Sequence, residues 1–315
     1  MKKRIGFVCF GEINTPFERL EIKHHHAIET LSELELDILD AGIVIDDTEY
    51  KTADAAIQKL HGYDMDCLIV CVAGWVPTHA VIHVTDVFRT TPMVLWGMCG
   101  WYENDHIVTT ADQAGTTALR PAFEAMDYRF KYITSIMGEP EPIEKIAAFV
   151  NASHAVSRLR KSRIGTMGYR DMLLYGTQYE CNSLRGQIGV EVEPFEMLEM
   201  VQNIDKLDAH KVKEGVEYVK NNWIFMKECE ENIIETGVKY ALAVGKKIEE
   251  RHYEAITLID VDGMKKLLGF PPAMVFMLLD YFYGVQTVPK NDVMGGVTPA
   301  WNELSSCSRK LRTQW

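Results

Sequence analysis

Apolar residues in this chain fall into short unbroken runs. Between the runs, apolar positions recur every three or four residues. "RIGFVCF" (4–10) is the first run and stops at a glycine, as a strand buried on both faces of a parallel sheet does. A helical pattern follows over 16–34, then a second run, "LDILDAGIV" (36–44). "ADAAIQKLHG" predicts a helix, "DCLIVCVAGW" (66–75) a third strand, and "PTHAVIHVTDVF" a helix. "PMVLWGMCGW" (92–101) predicts a fourth strand, "DQAGTTALRPAFEAM" a helix, and "KYITSIMG" a fifth strand. Strands alternating with helices of this size imply a doubly wound parallel sheet, whose ligands bind at the carboxyl ends of the strands.

After the helix "PIEKIAAFVNASHAVSRLRKSR" the pattern restarts. "RIGTMGY" (163–169) repeats the strand-then-glycine beginning of the chain, which sets a domain boundary near Lys161. "QIGVEVEPF" predicts a strand, and two long helices follow over about 208–225 and 229–251. "EAITLIDVDG" (254–263) predicts a strand ending in two carboxylates. "PAMVFMLLDYFYG" predicts a helix, and "VQTVPKNDVMGG" a strand and turn. The expectation is α/β throughout: two doubly wound, Rossmann-like domains at 1–160 and 161–297, then a tail at 298–315.

Composition narrows the partners. The 315 residues suffice for two domains, and 47% hydrophobic with 25% charged residues is a globular composition. A net charge of −12 argues against nucleic acid or an anionic membrane as partner. The seven cysteines are scattered, with no CxxC pair, as buried thiols of a reducing compartment are. The opening apolar run is too short for a secretory signal or a membrane span. These features predict a cytoplasmic protein.

Carboxylates at strand ends are the strongest chemical signal. Asp260 and Asp262 close one predicted strand and Asp292 closes the next. Residues i and i+2 of a strand share a face. If the strands are neighbours, Asp262 and Asp292 converge on a divalent ion that prefers oxygen ligands, Mn²⁺ or Mg²⁺. The competing reading makes them turn and helix-cap aspartates. His24–His26 point about 100° apart on a helix, so they cannot share one ion and predict a solvated or partner-facing patch. His79 and His83, spaced i,i+4 without an accompanying Glu, suit a core or interface better than a metal. Trp75 ends the third strand, where a ligand would sit, and offers a flat face for a sugar ring; packing is the alternative. No GxGxxG follows the first strand, so nucleotide binding is poorly supported.

In order and spacing, "RIGFVCFGEI", "VAGW", "GTMGYRD", "EAITLIDVDG" and "GVQTVPKNDVMGGVT" together resemble the L-fucose/L-arabinose isomerase group over nearly all of residues 1–297. The resemblance implies two N-terminal α/β domains and a C-terminal β-rich domain. It also implies Mn²⁺-dependent aldose–ketose isomerisation through an enediolate, and a homo-oligomer with sites between subunits. In that pattern Asp292 matches a metal-ligand aspartate and Asp262 a metal-ligand glutamate, the pair serving metal binding and catalysis. Trp75 and Met167 fall near pocket-lining positions, and Arg19 near a substrate-binding arginine. Lys290 departs from the pattern by standing where the group carries Glu; it is expected to pair with Asp292. The expected C-terminal domain has no counterpart, so "PAWNELSSCSRKLRTQW" reads as a truncated or altered tail.

Two functions follow. The first is an isomerase-like protein that is an incomplete or inactive catalytic unit. The second is a non-catalytic cytoplasmic protein that binds or senses a small sugar.

Overall fold

A computed structural model describes residues 2–298; apart from Thr298, the expected tail lies outside the described residues. The chain forms two compact units that divide between His154 and Ala155. The division falls inside a helix, Ile143–Lys161.

The first unit runs β1 (Lys3–Gly11), α1 (Phe17–Ser32), β2 (Leu36–Ile45), α2 (Lys51–Leu60), β3 (Cys67–Val72), α3 (Thr78–Thr85), β4 (Met93–Glu103), β5 (His106–Val108), α4 (Asp112–Ala125), β6 (Phe130–Met137) and α5 (Ile143–Lys161). Its sheet has the order β2-β1-β3-β4, and both β5 and β6 pair with β4. Every pairing is parallel except β4 with β5. Side chains of β1 and β3 alternate between two cores. Val8, Phe10 and Val70 pack with Ala53, Val81, Leu119 and Phe123 beneath α2, α3 and α4. Phe7, Cys9 and Ile69 pack with Leu20, Leu31 and Val150 beneath α1 and α5. Burial on both faces is why these strands read as unbroken apolar runs. Each such side chain contributes about 1.5–3 kcal/mol by leaving water. The β4–β5 hairpin turns on Asn104 and Asp105, with φ of 48° and 63°, the left-handed pair that two-residue hairpins favour.

The second unit runs β7 (Arg163–Met167), α6 (Cys181–Gln187), β8 (Glu191–Phe195), α7 (Met197–Ile204), α8 (Ala209–Asn222), α9 (Glu231–Arg251), β9 (Ala255–Leu258), a π-helical turn (Asp260–Lys265), α10 (Ala273–Tyr283) and β10 (Gln286–Pro289). A helical segment over 293–298 follows. The sheet is parallel, in the order β10-β9-β7-β8. One face packs Ile256 and Leu258 against Val238, Leu242, Val275 and Leu279. The other packs Ile164 and Ala255 against Leu159, Leu184, Val293 and Val297. Both units are therefore α/β with parallel-dominated, doubly wound sheets. Strand order reverses between β1 and β3 in the first unit and between β7 and β9 in the second. Among the described residues, no helix is long and apolar enough to cross a membrane.

Candidate functional site

At the second unit's carboxyl edge, four aspartates each accept a backbone N–H. Asp171, fully buried, accepts Asp262 N at 2.7 Å and Val261 N at 3.2 Å. Asp260 accepts Lys290 N at 3.0 Å, Asp262 accepts Met172 N at 2.7 Å, and Asp292 accepts Gly295 N at 2.8 Å. These bonds lace together the segments that follow β7, β9 and β10. They hold four non-glycine residues in the left-handed region: Met172 (φ 51°), Leu173 (56°), Lys290 (69°) and Asn291 (52°). Such conformations cost about 1–3 kcal/mol each and persist only where the surroundings impose them.

An ammonium group already neutralises this edge. Lys290 Nζ lies 2.8 Å from Asp260 Oδ2 and 3.6 Å from Asp171 Oδ2. Burial pushes the Asp260 carboxyl up, but hydrogen bonds with Asp171 and with the Lys290 ammonium and amide hold it below its ordinary range. The expected pairing of Lys290 with Asp292 is thus corrected: Lys290 pairs with Asp260 and Asp171. Asp260 and Asp262 lie in the π-helical turn beyond β9, so the strand alternation expected of them does not apply. Asp262 uses one oxygen on Met172 N and the other on Lys266 Nζ at 2.6 Å. No hydrogen bond or ion pair links Asp262 to Asp292 among the described residues. Nor, among those residues, are three or more His, Cys, Asp or Glu side chains grouped to hold a metal. A divalent ion here would have to displace Lys290 or Lys266, or break the amide bonds. The N–H groups that begin the π-helical turn and the 293–298 helix would ordinarily attract an anion; Asp171 and Asp292 occupy them. The Met167 side chain is fully buried in the core, and its carbonyl accepts Asn291 Nδ2 at 2.9 Å.

The carboxyl edge of the first unit's sheet differs. Gly11 and Gly74, at the ends of β1 and β3, leave room for Leu20 of α1, so the first turns of α1 settle onto the strand ends. The next residue, Trp75, keeps 37% of its surface exposed, and its amide donates to Thr110 O at 2.7 Å. Arg19, beside Leu20, meets Glu103 of the β4–β5 hairpin at 2.9 Å and lies 4.9 Å over the Trp101 ring. Hydrogen bonds from the Trp101 indole (2.8 Å) and the Arg19 guanidinium hold the Glu103 carboxyl below its ordinary range. Arg19 and Glu103 are both part-exposed. This edge therefore presents a donor, an acceptor and an indole face to solvent, at a point where open α/β sheets bind ligands.

Beneath them lies a buried pair. Lys23, 1% exposed and one turn beyond Arg19, is bonded to fully buried Asp112. Its other donors reach Met98 O at 2.9 Å and Thr110 Oγ1 at 3.0 Å. The neighbouring histidines diverge. His24 bonds Asp40 at 3.1 Å, His26 bonds Glu141 at 2.6 Å, and His25 turns to Glu21 O. Instead of forming one solvated patch, two of the three tie α1 to other elements. His79 and His83 both pack on the Tyr50 ring, and His83 bonds Asp54.

No family model matches the chain, and no curated protein does. Among solved structures, a periplasmic solute-binding protein of an ABC transporter from Actinobacillus succinogenes, with bound D-allose, matches over 100% of this chain and 95% of its own. It is 10% identical, with a TM-score of 0.24. At that score the likeness shows neither the fold nor the ligand of this chain. These comparisons correct the expected membership of the L-fucose/L-arabinose isomerase group: neither a family model nor a curated protein supports it. The roles that came with the resemblance for Arg19, Trp75, Met167, Asp262 and Asp292 lose that support, and only local geometry speaks for each.

Proposed function

We propose that the first unit binds a small polyhydroxylated molecule of the sugar class at its β1–β3 crevice, in a binding or sensing role. One observation carries this reading: the exposed Trp75 indole at the end of β3, on the same edge as the Arg19–Glu103 pair. An indole face suits the C–H face of a sugar ring. A guanidinium donates to hydroxyl groups and a carboxylate accepts from them, so the pair can recognise a neutral polyol in both senses. A net charge of −12 disfavours an anionic ligand approaching from solution.

The test is titration of the purified chain, without metal, with L-arabinose, L-fucose, D-galactose and D-glucose, followed by calorimetry and tryptophan fluorescence. At least one sugar is expected to bind. Trp75→Ala should weaken that binding by about tenfold, roughly 1.4 kcal/mol, in a variant whose unfolding midpoint stays well above the assay temperature. Failure of all four sugars to bind, or binding indifferent to Trp75, would overturn the reading.

A further inference from the structure

The Lys23–Asp112 pair asks for a reason to exist. Lysine is almost never fully buried unless paired. Even then, an apolar pair of similar volume generally stabilises a core as well or better. Stability of the fold is therefore a weak account of this pair.

Its bonds point elsewhere. Lys23 Nζ uses three donors, on Asp112, Met98 O and Thr110 Oγ1, and lies 5.1 Å from the Trp101 ring. Thr110 Oγ1 donates to Ala73 O at 2.7 Å, and Thr110 O accepts the Trp75 amide. Asp112 accepts Thr109 Oγ1 at 2.9 Å and Gln113 N at 2.8 Å. One ammonium thus joins α1, the middle of β4 and the segment that leads into α4. Through Thr110 it also reaches the residues that close β3. The side chains this network adjoins, Trp75 two residues after Ala73 and half-buried Trp101 under Arg19, lie at the crevice.

We infer that Lys23 and Asp112 form a positioning pair, which fixes Trp75 and the Arg19–Trp101–Glu103 cluster for a ligand and adds little to global stability. The ligand arm of the test rests on the sugar-binding reading; the structural arm does not.

The experiment compares the full chain with the double variant Lys23→Met/Asp112→Leu, which replaces the pair by apolar side chains. Three quantities are read: the unfolding midpoint, amide hydrogen exchange at Trp75 against Val70 within β3, and affinity for the sugars above. Expected are a midpoint within about 4 °C of the parent, Trp75 exchange about tenfold faster with Val70 unchanged, and affinity about tenfold lower. Unchanged exchange at Trp75 would overturn the inference, because the pair would then orient nothing. A collapse of the midpoint with faster exchange at Val70 as well would also overturn it, by showing a purely structural pair. If the parent chain binds none of the sugars, the functional reading fails, and exchange at Trp75 still decides whether the pair positions the edge.

Discussion

Replacing Lys290 with Ala removes the ammonium that lies 2.8 Å from Asp260 and 3.6 Å from Asp171. Both carboxylates are buried. Breaking a fully buried pair costs about 3–5 kcal/mol, because a charge is left without its partner. Lys290 is 31% exposed in its side chain, so water replaces part of what is lost. Fully exposed pairs contribute only about 0–1 kcal/mol. A loss of about 2 kcal/mol lies between these limits, or about 4–8 °C in the midpoint of a unit this size. Alanine keeps the strained left-handed φ that glycine would relieve, so the variant isolates the ion pair. The Asp260 carboxyl is held below its ordinary value of 3.8. A depressed carboxylate contributes stability above that value and loses it as pH falls through the lower, folded-state value. Parent and variant should therefore differ fully at pH 7, and the difference should shrink as pH falls through the lowered folded-state value. The assay is urea unfolding at several pH values, repeated with Asp260→Asn to complete a double-mutant cycle. Equal stability at pH 7, or a difference that does not shrink as the pH is lowered into the acid range, would refute the argument.

Two further outcomes are expected. At millimolar Mn²⁺, Lys290→Ala should gain thermal stability while the parent gains little, because two carboxylates then lack their internal cation; equal gains in scanning calorimetry would contradict the idea that Lys290 occupies the cation position. A Cβ at Gly245 of α9 would overlap the Tyr283 ring of α10, so Gly245→Ala should cost about 1–3 kcal/mol. The added variant Tyr283→Leu should recover most of that loss, and a neutral Gly245→Ala in chemical denaturation would show the helices free to separate.

The sheets were legible because their strands are buried on both faces, and "RIGFVCF" and "DCLIVCV" admit little else. The β5 hairpin was not, since "HIV" is three residues long and mostly exposed; the local signal was Asn104–Asp105. Lys23 was legible in retrospect. It falls three residues after Leu20 and four before Ala27, on the stripe that buries Leu20, Ala27, Thr30 and Leu31. The bonding of the aspartates is less legible in the sequence, for another reason. Strand alternation ends at Leu258, where the chain leaves the sheet for a π-helical turn, and Asp171, distant in sequence, reaches that turn only through the fold. Which N–H a carboxylate will accept depends on loops brought together by the sheet, and spacing along one segment cannot show it.

The two carboxyl edges share a topology and differ in how many of their polar groups remain available. In the second unit Asp171, Asp260, Asp262 and Asp292 accept backbone amides of the loops, and Lys290 pairs with Asp260 and Asp171. That edge is built to hold strained backbone in place. In the first unit the saturated network lies one layer down, at Lys23, Asp112 and Thr110, and the layer above it, Trp75, Arg19 and Glu103, faces water. A ligand needs groups that are both oriented and unsaturated, since a polar atom already well bonded offers little to a newcomer. By that criterion the proposed sugar crevice belongs at the first edge, where Trp75, Arg19 and Glu103 are exposed, rather than at the second, where the carboxylates already accept amide and ammonium groups.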